Sequence, residues 1–106
     1  MFKVIFFIVT NRVPGAPVAE LVHHVGPLNG IVWAPHSPSH ICTVGDDKQA
    51  LIWDISTPAR TTSNITIPDP ILAFGAEGEI NQLQWDASHE DWVAICFENF
   101  VQVLKV

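Results

Sequence analysis

An apolar pattern occurs twice in this chain, as Leu28-x-x-Ile31-x-Trp33 and as Ile80-x-x-Leu83-x-Trp85. Each copy is followed by a turn, an apolar run, an acidic turn and a further apolar run. A unit recurring on this scale cannot bury its apolar face alone, so it must stack on a copy of itself. Trp33 and Trp85 lie 52 positions apart, longer than the usual repeat of about 40 to 45 residues. The polar segment after Ile55 is long enough to hold the excess.

Pro and Gly break the chain too often for helices of ordinary length. Between the breaks lie short runs rich in β-branched and aromatic residues, at 18–22, 28–33, 41–44, 50–55, 71–74, 80–85, 92–97 and 101–106, which predicts an all-β meander. A hydrophobic fraction of 48%, with 15% charged residues and four Trp, belongs to a packed chain. Polar and apolar positions alternate only in part, so some strands are expected to be covered on both faces, as stacked sheets require. Residues 56–69 are rich in Ser, Thr and Pro and are expected to form a long loop. They contain the sequon Asn64-Ile65-Thr66, which matters only in a secreted chain.

Five Lys and Arg stand against eleven Asp and Glu, a formal charge of −6. With no basic cluster to neutralise a run of phosphates, direct nucleic-acid binding is not expected. Cys42 and Cys96 sit in apolar runs without a paired metal-ligand spacing, and read as reduced, buried structural thiols of an intracellular protein. The apolar start, residues 1–11, is far too short for a membrane span and at the lower limit for a secretion signal. It is read as an extra strand or a start unrelated to the rest. The competing reading, a small secreted or membrane-attached β domain, draws on this start and on Asn64.

The first repeat sets His24 ahead of its first strand, Thr43 in the second, Asp47 in the following turn, and closes on Trp53-Asp54. This arrangement resembles the WD40 repeat. The resemblance implies that His24, Thr43, Asp47 and Trp53 form a buried hydrogen-bonded tetrad. The chemistry agrees: a buried Asp must be paired, a His ring can donate from one nitrogen and accept at the other, and an indole N–H only donates. A nucleophilic triad of His, Thr and Asp is the rival reading, but no oxyanion-hole signature accompanies it. His23, His36, His40 and His89 match none of the paired zinc spacings and are read as surface or loop residues. The turn Asp46-Asp47-Lys48 offers too few oxygen ligands for calcium. Neither a metal nor a cofactor is expected.

The second repeat departs from the pattern: Ala76 stands at the His position, Leu104-Lys105 at the Trp-Asp position, and Glu98-Asn99 in the acidic turn. The chain therefore divides into an unassigned start (1–11), an outer strand of a preceding blade with its connecting loop (12–26), a complete blade (27–75), and a blade lacking its outer strand (76–106). The resemblance thus implies an all-β, partial WD40 β-propeller, about two blades of an expected seven. A third-strand ending is what a ring closed by its own amino terminus leaves at its carboxy end.

More particular strings occur in order: Trp33-Ala-Pro-His-Ser37, His40-Ile-Cys-Thr43, Asp46-Asp-Lys-Gln-Ala-Leu-Ile-Trp-Asp54, Asp69-Pro-Ile-Leu-Ala73 and Glu79-Ile-Asn-Gln-Leu-Gln-Trp85. They look like the carboxy-terminal blades of the Transparent Testa Glabra and Anthocyanin-regulator group and its animal cullin-4-associated relatives. That resemblance implies a non-enzymatic scaffold of the cytoplasm and nucleus whose partners are transcription factors, protein kinases or ubiquitin-ligase components. Ser56 occupies the position of the Arg in the Trp-Asp-x-Arg motif of cullin adaptors, a departure that weakens ligase docking. Function on such a frame sits in loops, and the candidate contact residues are His36, Ser37, Pro38, Lys48, Gln49, Glu77, Gly78 and Glu79. Open strand edges at 18–22 and 101–106 predict self-association of the isolated chain.

Overall fold

A computed structural model describes residues 3–7, 17–37, 39–56, 60–62 and 65–106. Turn residues set the strand ends. In the acidic turn of the first repeat Lys48 takes the positive φ that reverses the chain (66°), and Glu98 does the same in the second (52°). Gly45 is required by a close approach: a Cβ there would lie 2.6 Å from the Pro27 carbonyl oxygen, which accepts a hydrogen bond from the Asp46 amide at 2.9 Å. The turn carrying Asp47 is thereby pinned to the loop carrying His24.

Eleven strands form, and no helix is found among the described residues. β3 (Leu28–Trp33), β4 (His40–Gly45), β5 (Gln49–Asp54) and β8 (Pro70–Gly75) make an antiparallel sheet in the order β3-β4-β5-β8. β9 (Ile80–Trp85), β10 (Trp92–Phe97) and β11 (Phe100–Lys105) make a three-stranded antiparallel sheet. The remaining sheet has the order β1-β2-β7-β6, from β1 (Lys3–Phe7), β2 (Pro17–Val22), β6 (Arg60–Thr62) and β7 (Ile65–Ile67).

Two expectations change here. The segment 56–69 is not a plain loop, because β6 and β7 pair antiparallel within it; its β-branched Thr and Ile residues suit an extended backbone despite the polar composition. Nor is β2 an open edge, since it pairs antiparallel with β1 on one side and parallel with β7, through Ala19 and Thr66, on the other. Asn64 and residues 8–16 lie outside the described residues.

The middle sheet is covered on both faces. Cross-strand pairing sets Ile41 opposite Trp53 and Thr43 opposite Leu51 on one face, and Cys42 opposite Ile52 and Val44 opposite Ala50 on the other. Leu21 packs with Ile41, Leu51 and Trp53 on the first face. On the second, Cys42, Val44, Ala50 and Ile52 join Ile80, Val93, Ile95 and Phe97 of the three-stranded sheet in the larger core. The continuous apolar runs of β4 and β5 follow from this: a strand buried on both faces has no solvent side to give to polar residues.

Candidate functional site

His24 lies in the loop between β2 and β3, Thr43 in the middle of β4, Asp47 in the β4–β5 turn and Trp53 near the end of β5. Folding brings the four together in a closed polar chain. The Trp53 indole N–H donates to Thr43 Oγ1 at 2.8 Å, and the Thr43 hydroxyl lies 2.7 Å from His24 Nε2. His24 Nδ1 is 2.8 and 3.0 Å from the two Asp47 carboxylate oxygens. A single assignment uses every hydrogen: indole N–H to hydroxyl, hydroxyl to Nε2, and Nδ1–H to carboxylate. The carboxylate also accepts from the Val25 amide at 3.1 Å and the Gln49 amide at 3.4 Å. His24 is 1% exposed, and Thr43 and Trp53 are fully buried.

This geometry does not suit Thr43 to act as a nucleophile. The Thr43 hydroxyl is enclosed between His24 and Trp53, and no buried side-chain nitrogen or oxygen among the described residues lacks a partner. A reacting group needs room for a substrate beside it, and Thr43 has none.

The second repeat closes differently. Its Trp85 indole donates to the Glu90 carbonyl at 2.9 Å, joining the end of β9 to the turn behind it. In that turn Asp86 accepts from the Ser88 amide and lies against His89 Nδ1, both at 2.8 Å. The Ser88 amide, with help from the His89 ring, holds the Asp86 carboxyl below its ordinary value. At the His position the Ala76 side chain makes no polar bond; its amide donates to the Lys48 carbonyl at 2.7 Å. Asn29 of β3 bridges the two sheets, donating to Asp46 at 2.6 Å and to the Ile80 carbonyl at 2.9 Å; its sequence context carried no signal for that role.

Beyond the Trp53-Asp54 dipeptide, Ser56 caps Asp54 with its hydroxyl at 2.6 Å and its amide at 2.9 Å. The Ser56 hydroxyl is the main reason the Asp54 carboxyl titrates below its usual range. The two thiols diverge from the shared expectation of burial. Cys42 is buried in the core and its thiol is pushed up to about 12 by desolvation, whereas Cys96 is only half-buried, because it alternates with Val93, Ile95 and Phe97 and so lies on the side of β10 away from the shared core.

The candidate contact residues do not gather into one surface. His36 and Ser37 lie in the β3–β4 turn at one end of the sheets, while Lys48, Gln49, Glu77, Gly78 and Glu79 lie around the β4–β5 turn and the β8–β9 connection at the other. Gly78 is buried rather than exposed, since the Glu98 side chain lies over it, 2.8 Å from where a Cβ would stand. Ser37 and Gln49 are half-buried, and His36, Lys48, Glu77 and Glu79 are exposed. Pro38 lies outside the described residues. Among the described residues no three His, Cys, Asp or Glu side chains come together as a metal-holding group.

No protein-family model matches the chain. Curated proteins do. A DDB1- and CUL4-associated factor 7 homolog of Dictyostelium discoideum is 56% identical over 90% of this chain and 28% of its own length. An uncharacterized WD repeat-containing protein of Schizosaccharomyces pombe is 38% identical over 53% of the chain and 13% of its own length. Histone acetyltransferase type B subunit 2 of the same organism is 29% identical over 74% of the chain and 18% of its own length. The chain thus spans no more than about 28% of the length of these relatives. A stacked four-stranded and three-stranded sheet built on a repeat, and likeness to a WD repeat-containing protein over about half of the sequence, make this chain a partial β-propeller of WD-repeat type.

Proposed function

We propose that the chain serves as a non-enzymatic scaffold, a rigid part of a WD-repeat adaptor that brings proteins together. One observation carries the reading: the His, Thr and Asp set that could have done chemistry is spent on holding loop to strand inside a closed core. The accessible contact candidates His36, Lys48, Glu77 and Glu79 lie at the two ends of the sheets, where binding on a stiff frame is expected. Likeness to a cullin-4-associated factor homolog and to a histone acetyltransferase subunit supports protein partners. The finer reading is an adaptor of the Transparent Testa Glabra type and its cullin-4-associated relatives, with transcription factors, protein kinases or ubiquitin-ligase components as partners, in the cytoplasm and nucleus.

The test separates scaffold from catalyst. A protein carrying Thr43→Ala and Asp47→Asn is expected to melt at a lower temperature while keeping, below that temperature, the partners that co-purify with the unaltered protein. Loss of a measurable turnover in that variant, with its fold intact, would refute the scaffold reading.

A further inference from the structure

The β3–β4 and β9–β10 turns lie at the same end of the molecule, and a cleft of about 260 Å³ opens between them, flanked by β8. Its floor is apolar, formed by the buried Ile52 of the four-stranded sheet and Trp85 of the three-stranded one, with Leu72 of β8 and Val106, just beyond β11, beside them. Ile71 and Leu72 remain 52% and 40% exposed. Apolar surface left open beside polar rims is characteristic of binding grooves. The volume lies below the roughly 300 to 1,000 Å³ of small-molecule sites, so it suits a side chain of a peptide better than a cofactor.

The rim is acidic. Glu90 and Asp91 line it together with His36 and His40, and among the described residues no Lys or Arg does. His36 leans edge-on against Trp85, with ring centres 5.9 Å apart, and its Nε2 is 3.9 Å from Glu90, too far for a hydrogen bond. The Glu90 side chain is 65% exposed. A carboxylate so placed near the exposed Ile71 and Leu72 complements a segment that carries a cation next to an apolar side chain. At the opposite end Glu77, Glu79 and Glu98 share a cleft with Lys48, and Glu77 also borders an apolar wall of Phe97, Phe100 and Val101; what separates the two ends is the Lys beside the carboxylates there.

We propose that the cleft between the two sheets at the β3–β4 and β9–β10 turns is a docking groove for a peptide segment that pairs an aliphatic side chain with a Lys or Arg. This deepens the scaffold reading and rests on it. The apolar side chain would lie against Leu72 and Trp85, and the cation would meet Glu90 and Asp91 at the rim.

The test titrates the full chain with fluorescent short peptides of alternating Leu and Lys, alternating Ser and Lys, and alternating Leu and Glu, at low and at high salt. The Leu-Lys peptide is expected to bind, to bind at least about tenfold more tightly than the other two, and to weaken as salt screens the rim. Glu90→Lys with Asp91→Lys is expected to lower its affinity by about tenfold or more. Both residues are exposed and the bonds they make to Trp85 and Val106 use backbone carbonyls, so the fold should survive, as an unchanged melt would show. Glu77→Lys with Glu79→Lys is the control and should leave binding unchanged. Equal loss in both double variants, or equal binding of the Ser-Lys peptide, would mean charge attraction without a groove and would overturn the proposal. Capture of protein partners is read in parallel: retention of all of them by the Glu90 and Asp91 variant overturns the groove and leaves the scaffold standing. Failure of the unaltered protein to capture any partner would instead remove the scaffold reading and with it the groove.

Discussion

The two stacked sheets share an apolar frame and close it by different means. In the four-stranded sheet a buried relay from Trp53 to Asp47 ties the incoming loop to the second and third strands. In the three-stranded sheet Trp85 reaches only the turn five residues on, and the position matching His24 holds Ala76. The difference teaches that the apolar register, not the polar tetrad, is what builds a blade. The tetrad adds a long-range tether, joining residues 23 positions apart, where the other sheet has a local one.

Breaking the tether at its largest member should have the largest effect. Trp53→Ala is expected to cost about 3 to 5 kcal/mol, the usual penalty for removing a buried Trp, with Thr43 losing its donor as well. Trp92→Ala in the other sheet, 41% exposed, should stay within about 1 kcal/mol. Urea unfolding of the two variants measures both, and equal losses would break the comparison.

A smaller change sharpens it. Thr43→Val keeps the shape but strands the Trp53 indole N–H and the His24 ring nitrogen. About 1 to 3 kcal/mol should be lost, read as a shift in the urea midpoint at constant slope. No shift would mean that the relay contributes nothing beyond packing.

The last strand can be tested without touching the core. Among the described residues β11 pairs only with β10, and Val101 and Val103 are 70% and 57% exposed along it, so the chain should self-associate through this edge. Val103→Lys is expected to lower the sedimentation-average mass while moving stability by no more than about 0.5 kcal/mol. Unchanged mass would show that association uses another surface.

The smallest effect lies in the Asp86 turn. Its carboxyl titrates below the ordinary value of 3.8 in the folded chain, so its contribution is present above that value and is lost as pH falls through the lowered folded one. Melting temperatures of the wild type should therefore approach those of Asp86→Asn on acidification below about pH 4. A constant difference between them at acid and neutral pH would argue that the turn holds through shape alone.

Much of this was legible in the residues themselves. Repetition of the apolar pattern required stacked sheets, turn chemistry at Gly45 and Asp46-Asp47-Lys48 marked the hairpins, and the unbroken apolar runs of β4 and β5 announced strands covered on both faces. The grouping of His24, Thr43, Asp47 and Trp53 came from the resemblance to the WD40 repeat, with which their donor and acceptor chemistry agrees. The β6–β7 hairpin was not legible, because its polar residues carry no alternation and its parallel partner β2 lies more than 40 positions away. Gly78 looked like open loop for a similar reason: the Glu98 side chain that covers it comes from the next hairpin. Composition and period decide which strands form and which faces are apolar, since those depend on neighbours in the chain. Tertiary packing alone decided that the contact candidates fall at two opposite ends, that Cys96 stays half-uncovered while Cys42 is sealed, and that an acidic rim meets an aliphatic wall, since each of these depends on which distant strand comes alongside.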